Sequence, residues 1–437
     1  MTLKIAVIGA GPSGIYVAEG VKKKLPDTMV DFIERLPTPF GLVRFGVAPD
    51  HQGTKKVINQ YEKFFDQEGI RLLGNVEVGK DISVQVLQEH YDAVVIANGA
   101  REDKKLGIPG EDLDGVYGSA AFVSWYNSHP DYKDLSPIPE HAKSAIVIGN
   151  GNVAIDVARI LVKSAEEMAD SDLADHTRIA IDNASISDVV IAGRRGPVEA
   201  SFTPPELREL GKLEHALPVI EGAVIPDELP SHIDTSQPAG RIKGKVLDIF
   251  RSFTEMKRDG KDKTIHLQFL ASPTAFLGEG KVEAVQFERM ELNEDGKPTG
   301  TGELFDIPAD LVVSAIGYYS QPLEGVPFDE QLGRYPNEEG LIKDNLYVVG
   351  WGKRGPSGTI PTNRPCSFKT SQIIMDQVIA DPAKQGGAAI DKLLADKGSK
   401  VTTFTDWKAI DAVETKTETR QKIASVDEML AAIEEAI

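Results

Sequence analysis

Two glycine fingerprints constrain this chain more than any other feature. The first, Gly9-Ala10-Gly11-Pro12-Ser13-Gly14, follows the apolar run Ile5 to Ile8. The second, Gly149-Asn150-Gly151-Asn152-Val153-Ala154, follows Ala145 to Ile148. A strand that feeds such a loop and then a helix turns the helix N-terminus toward a pyrophosphate, and the glycines let the backbone come close. One fingerprint is weak evidence. Two in one chain predict two dinucleotides held together, as a flavoprotein using a nicotinamide cofactor requires.

Around each fingerprint, strand and helix patterns alternate. In the first unit, Lys4–Ile8 leads through the loop into a helix reaching about Lys24, and a second strand, Met29–Ile33, ends at Glu34. Residues 55 to 68 have helical spacing, and Tyr91 to Ile96 reads as a buried strand closing on Ala97-Asn98-Gly99. In the second unit, the strand Asp188–Ala192 runs into Gly193-Arg194-Arg195-Gly196-Pro197, and Leu311 to Gly317 repeats the earlier strand-and-glycine ending. The pattern predicts an α/β protein with two Rossmann-like, doubly wound, three-layer nucleotide-binding domains. Strand Leu346–Val349 and the segment to Gln372 are expected to return to the first unit. The second domain (101–321) is then inserted into the first (1–100 and 322–437). Ser425 with Glu428 three residues later predicts a capping box on a last helix, Val426–Ile437.

Chemistry differs between the two strand ends. Glu34 lies where an acid accepts hydrogen bonds from a ribose diol and repels a 2′-phosphate, so the first site suits FAD or NAD. Gly9, Gly11, Pro12, Ser13 and Gly14 then face the diphosphate, with Ala97 and Gly99 beside them. At the second site Arg194 and Arg195 stand where an acid is usual. Guanidinium groups make bidentate, charge-assisted bonds to phosphate, which favours NADP. Glu206, in the helix-like run Pro205–Leu210, is expected to fix the adenosine ribose or to orient an arginine. The apolar, glycine-rich run Pro39 to His51 suits a flat ring system.

Composition narrows the rest. The chain has 437 residues, 41% apolar and 26% charged, and a net charge of −19, which disfavours nucleic acid and anionic membranes. No stretch approaches the roughly 20 apolar residues of a membrane span. The first strand begins near Lys4, which leaves no room for a secretory leader. Cys366 is the only cysteine, so no internal disulfide, Cys-x-x-Cys redox pair or cysteine metal site is expected. These features favour a cytoplasmic protein, or an organelle matrix if a presequence has been removed.

Several long motifs together resemble the adrenodoxin reductase type of ferredoxin–NADP reductase. They are Gly9 to Gly14, Pro39-Phe40-Gly41-Leu42-Val43-Arg44-Phe45-Gly46-Val47-Ala48-Pro49-Asp50-His51, Gly149 to Leu161, Gly193 to Pro197, Trp351-Gly352-Lys353-Arg354-Gly355-Pro356-Ser357-Gly358-Thr359-Ile360, and the tail Phe404-Thr405-Asp406-Trp407. The sequence departs from the family pattern at Asn150, where Gln is more usual. It also departs at Pro361 to Cys366, which is richer in proline and charge.

The resemblance implies FAD in the first domain and NADP(H) in the second. It places Gly41, Leu42 and Val43 at the flavin, with Trp351 and the backbone of Gly358, Thr359 and Ile360 over the ring near the nicotinamide. Gly149, Gly151, Asn152 and Val153 fall at the NADP pyrophosphate, and Arg194, Arg195 and Glu206 at its adenosine end. The implied reaction is hydride transfer from NADPH to flavin N5, followed by single-electron transfer to an iron–sulfur protein. His51 and Glu209 are the expected proton-handling groups, with Asp156 orienting His51.

Residues 239 to 263 hold eight basic and four acidic side chains in an otherwise acidic chain. Such a patch steers an acidic ferredoxin, and the resemblance favours Arg241, Lys243 and Lys245 as its docking residues. Two other readings are an electron-input subunit of a larger reductase complex, which normally carries cluster-binding cysteines, and a non-catalytic FAD/NADP-binding sensor.

Overall fold

A computed structural model describes residues 2–230, 233–293 and 296–436. The chain forms two compact units. The first comprises Met1–Glu102, Asn127–Lys133 and Gly317–Ile437; the second comprises Asp103–Tyr126 and Asp134–Ile316.

The first unit is built on a six-stranded sheet. Its spatial order is Leu341–Lys343, Leu346–Val348, Ala93–Ile96, Lys4–Ile8, Met29–Ile33, Ile70–Leu73. All neighbours pair in parallel except the first two. Both faces are covered. Ile5 and Val7 join one buried cluster, with Tyr61, Phe64 and Trp407, while Ala6 and Ile8 join the other, with Leu87, Tyr91 and Ile390. A strand buried on both faces reads as the near-continuous apolar run seen in the sequence.

Residues 127–133, inside the stretch 101–321, join this unit through specific contacts. Arg35 donates two hydrogen bonds to Asp131, at 2.9 and 2.7 Å, and the His129 ring lies 4.8 Å from that of Phe45.

The second unit carries a parallel sheet in the order Val116–Gly118, Leu311–Ser314, Ser144–Ile148, Asp188–Ala192, Lys263–Gln268, Ala216–Glu221. Helices Asn152–Val162, Pro204–Leu210 and Pro238–Thr254 contact it. A further layer is an antiparallel sheet of Ala271–Leu277, Ala284–Leu292 and Pro298–Pro308. Phe276, Val285 and Phe287 from that layer cluster with Ile146, Ile148 and Val312 of the parallel sheet.

Two local expectations change. The last helix spans Val426–Glu434, and Ser425 makes no side-chain hydrogen bond; the Met429 N–H closes on the Ser425 carbonyl at 3.0 Å, and Met429 and Ile433 anchor the helix by burial. Ile437 lies outside the described residues. The capping box forms instead at Thr403, whose hydroxyl accepts from the Asp406 N–H while the Asp406 carboxylate accepts from the Thr403 N–H. Residues 55 to 68 hold a shorter helix, Ile58–Phe65, preceded by the single turn Gln52–Lys55.

Candidate functional site: two dinucleotide cradles

Both sheets reverse their strand order beside the fingerprint strand, the place where open α/β sheets bind ligands. At the first reversal, between Lys4–Ile8 and Ala93–Ile96, Gly9 has φ 104°, and a Cβ there would stand 2.6 Å from the Ala97 carbonyl oxygen. A Cβ on Gly14 would stand 2.4 Å from the Gly9 oxygen and 2.8 Å from Val7 Cγ1, so the helix Pro12–Lys22 sits close on its strand. Gly11 differs: its nearest neighbour is Gly41 Cα at 4.0 Å. No atom of the described residues explains the missing side chain at Gly11, as the close approach of a diphosphate would. The helix has no side-chain cap, so its first N–H groups are available to an anion.

Glu34 is pinned at this loop. Its Oε2 accepts from the Ala10 N–H at 2.9 Å and its Oε1 from the Leu36 N–H at 3.2 Å. The remaining lone pairs suit a diol. Asn98, between Ala97 and Gly99, donates through Nδ2 to the Gln321 oxygen and to Tyr335, but its buried Oδ1 has no partner among the described residues. Gly99 has φ 71°, and its oxygen accepts from the Ser320 hydroxyl at 2.7 Å.

The flavin-motif loop lies against the first fingerprint. The Phe40 N–H donates to the Ala10 oxygen at 2.9 Å, and Gly41 takes φ 49° directly over Gly11. The turn Leu42–Phe45 then buries Val43 and leaves Leu42 39% exposed, an apolar side chain ready to be covered by a ring. His51 sits half-buried at the start of Gln52–Lys55.

The segment 350–360 reaches the same place. A Cβ on Gly350 would stand 2.2 Å from Ser13 Oγ, and the Ser367 hydroxyl donates to the Ser13 oxygen at 2.9 Å. Trp351 stacks on Tyr318 with centroids 6.0 Å apart, and its indole donates to the Ser357 oxygen. Gly358 has φ 84°, and Thr359 and Ile360 begin the helix Ile360–Gln377. The first unit therefore brings together Gly9 to Gly14, Glu34, Gly41 to Val43, Ala97, Gly99, Trp351 and Gly358 to Ile360.

The second cradle repeats the geometry. Gly149 has φ 138°, with a would-be Cβ 2.4 Å from the Ala315 oxygen, and a Cβ on Gly151 would meet nothing within 4 Å. Asn150 tucks beneath Gly193, and its buried Nδ2 has no partner among the described residues. The Asn152 side chain is engaged: its Oδ1 accepts from the Thr203 N–H at 2.9 Å and its Nδ2 donates to the Thr203 hydroxyl at 3.1 Å. This clamp seats the helix Pro204–Leu210, whose first turn carries Glu206, against the fingerprint. Val153 is half-buried in the first turn of Asn152–Val162.

Arg194 and Arg195 follow the strand Asp188–Ala192. Both are exposed, and among the described residues neither guanidinium has a hydrogen bond or ion pair. Glu209 and Asp156 are tied to one group: buried Arg159 meets Asp156 Oδ1 at 3.0 Å and Glu209 Oε2 at 3.2 Å. Sequence reasoning missed Arg159 because an arginine on an apolar helix reads as a surface residue.

The basic segment lies mainly on the helix Pro238–Thr254. Arg241 donates to the Ser236 oxygen and Lys243 to the Val198 oxygen at 2.5 Å. Arg251 pairs with Asp248, while Lys261 and Lys263 reach the Leu213 and Val162 oxygens. Lys245 is exposed with no partner among the described residues.

Known proteins resemble this chain over nearly its full length. The pyridine nucleotide-disulphide oxidoreductase model matches residues 3–192. Over 460 residues the chain is 38% identical to the mitochondrial NADPH:adrenodoxin oxidoreductase of Arabidopsis thaliana, covering 98% of this chain and 95% of that protein. Over 455 residues it is 40% identical to the NADPH-ferredoxin reductase FprA of Mycobacterium tuberculosis, covering 98% of each. The chain belongs to the adrenodoxin reductase type of ferredoxin–NADP reductases. The solved structure of Mycobacterium tuberculosis FprA in complex with NADPH is similar to this reductase throughout. Its TM-score is 0.92 at 38% identity, over 99% of this chain and 100% of that one. No helix among the described residues of the reductase is long and apolar enough to cross a membrane.

Proposed function

We propose that this reductase carries electrons between NADPH and a ferredoxin-type iron–sulfur protein, with FAD in the first unit and NADP(H) in the second: a ferredoxin–NADP(+) reductase. The observation that carries the reading is the contrast between two similar cradles. One ends in a carboxylate fixed by two backbone N–H groups, the other in two arginines with no partner among the described residues. Glu34 accepts a ribose diol, while Arg194 and Arg195 await a phosphate. FAD, once bound, supplies hydride acceptance at N5 and release of electrons one at a time.

The chain's own residues then position and shield. Gly11 and Gly151 give the diphosphates room, together with the first N–H groups of the helices that follow. Leu42 and Trp351 present apolar surface to the ring and exclude water, while Val43 anchors their loop in the core, and alignment of reacting atoms is the protein's main contribution. Asn152 acts on the NADP side through Thr203, by seating the helix that bears Glu206. We assign proton handling to His51. Glu209 is the second proton-handling group; it and Asp156 also hold the buried guanidinium of Arg159, which fixes the second cradle. Lys245, whose ammonium has no partner among the described residues, leads the docking of an acidic ferredoxin, and Arg241 and Lys243 add charge beside it. A reducing compartment such as the cytoplasm fits a chain with a single cysteine.

The test is anaerobic bleaching of the flavin by NADPH and by NADH, followed by reoxidation with ferredoxin. Bleaching selective for NADPH and salt-sensitive reoxidation are expected; equal bleaching by NADH would sink the arginine argument. Replacing both arginines with alanine removes charge-assisted bonds of about 1.5–3 kcal/mol each. The KM for NADPH should rise by about 100-fold or more, with kcat and NADH use little changed.

A further inference from the structure

We infer that Glu414, at the end of the helix Phe404–Glu414, is a positioning residue for the flavin loop, holding Leu42 and Val43 in place through Arg44. The inference rests on the proposed flavin role of that loop.

The pair joins positions 370 residues apart, and both side chains are buried, at 0% exposed for Glu414 and 2% for Arg44. The contact is fork to fork: Arg44 Nη1 reaches Glu414 Oε2 at 2.8 Å, and Nη2 reaches Oε1. The Glu414 carboxylate also accepts from Arg420 Nη1 at 2.9 Å and from the Ile423 N–H at 2.9 Å. Four donors satisfy one carboxylate, so it cannot swing away without leaving buried charge unpaired. Burial pushes the Glu414 carboxyl up, but Arg44, the Ile423 N–H and Arg420 outweigh it and hold it below the ordinary carboxylate value. The Arg44 guanidinium carbon sits 4.9 Å from the Phe45 ring centroid and 5.0 Å from that of Trp407, which fixes its plane as well.

The loop needs such a hold. Phe40 takes φ 82°, a left-handed conformation that costs a non-glycine residue about 1–2 kcal/mol. Its ring packs edge-on against Trp407 at 5.6 Å, on the same C-terminal helix that ends in Glu414. The loop is thus fixed at Phe40 and Gly41 on the glycine fingerprint and at Arg44 on Glu414. Leu42 and Val43 are the two residues between those anchors. A buried ion pair by itself is weak evidence for stability, since apolar replacements often serve as well. Its placement directly after Leu42 and Val43, opposite the Phe40 and Gly41 anchor that precedes them, gives it a positional role.

The experiment uses the holoenzyme and three variants: Glu414→Gln, Arg44→Lys and Asp406→Ala. The last breaks the exposed capping box of the same helix without touching the loop. FAD affinity, visible circular dichroism of the bound flavin and the thermal midpoint are read for each. Loss of one charge-assisted fork should weaken FAD by about tenfold or more in Glu414→Gln and Arg44→Lys and change the flavin dichroism. Asp406→Ala should lower the midpoint with FAD affinity and dichroism unchanged. If Glu414→Gln does not fold, Arg44→Lys, which keeps the charge but not the fork, decides alone. The inference falls if the two loop variants lose stability as Asp406→Ala does and leave FAD affinity and dichroism unmoved. Leu42→Ala separates the two layers. A dichroism change there with none at Glu414 overturns this inference alone, and no change at either overturns the flavin-loop reading with it.

Discussion

At the scale of single residues, the half-buried Asp103 and the buried His129 set opposite pH trends. Burial pushes Asp103 up to about 6, against the hydrogen bonds from the Ala120 and Ala121 N–H groups and the Ser119 side chain. The folded state then holds that proton more tightly than the unfolded chain between its ordinary 3.8 and about 6, so stability falls as pH rises through that window. Asp103→Asn should be neutral or stabilising at pH 7.5, and the wild type should gain on it during an acid titration followed by urea melts. His129 behaves the other way. Burial, aided by Arg35, Arg101 and Arg44, outweighs Asp131 and lowers its imidazole to about 4. The unfolded chain binds the extra proton from 6.5 downward, so this contribution is present above that value and is lost as pH falls toward 4. The His129 ring resonances should stay fixed between pH 5 and 8; a midpoint near 6.5 would contradict its burial.

At the scale of elements, the glycines divide into those that shape the fold and those that make room for a ligand. Gly149→Ala must push against the Ala315 carbonyl from a left-handed backbone, which should cost about 2–4 kcal/mol of stability by denaturant unfolding. Gly151→Ala meets no atom of the described residues within 4 Å and keeps an ordinary φ of −124°, so the fold should lose about 1 kcal/mol or less at this helix N-cap. Its NADPH KM should nonetheless rise at least tenfold, because the methyl group enters the diphosphate space. The helix Ile360–Gln377 shows a different conflict. Pro365 lies inside it and removes a hydrogen bond to the carbonyl of residue 361. Pro365 is exposed, so Pro365→Ala should raise the thermal midpoint by a few degrees in a calorimetric scan. The prolines also hid this helix from sequence reasoning, since they read as breakers.

At the scale of the whole molecule, a chain of net charge −19 carries eight basic residues between 239 and 263. Carbonyl oxygens orient several of them without cancelling their charge, and of the three docking candidates Lys245 has no partner among the described residues. Lys245→Glu should lower kcat/KM for ferredoxin and flatten its salt dependence, while reduction of a small neutral acceptor stays constant in the same assay.

Much of this protein was legible in the residues alone. Fingerprints, the acid at 34 and the arginines at 194 and 195 each depend on a short stretch of chain. Local spacing therefore determined the two nucleotide units and the apolar strands buried on both faces, and elementary charge chemistry is the basis of the cofactor assignment proposed for each. Contacts between distant segments were decided only by the tertiary structure: Asn127–Lys133 on the first unit, the antiparallel layer over the second, Asn152 on Thr203, Arg159 between Asp156 and Glu209, and Arg44 on Glu414. Those partners lie between 3 and 370 residues apart, and even the shortest reach, Asp156 to Arg159, depends on which face of its helix is buried. A charged side chain carries no mark in sequence of whether water or a buried partner will meet it; packing settles that, because only the folded chain removes the water.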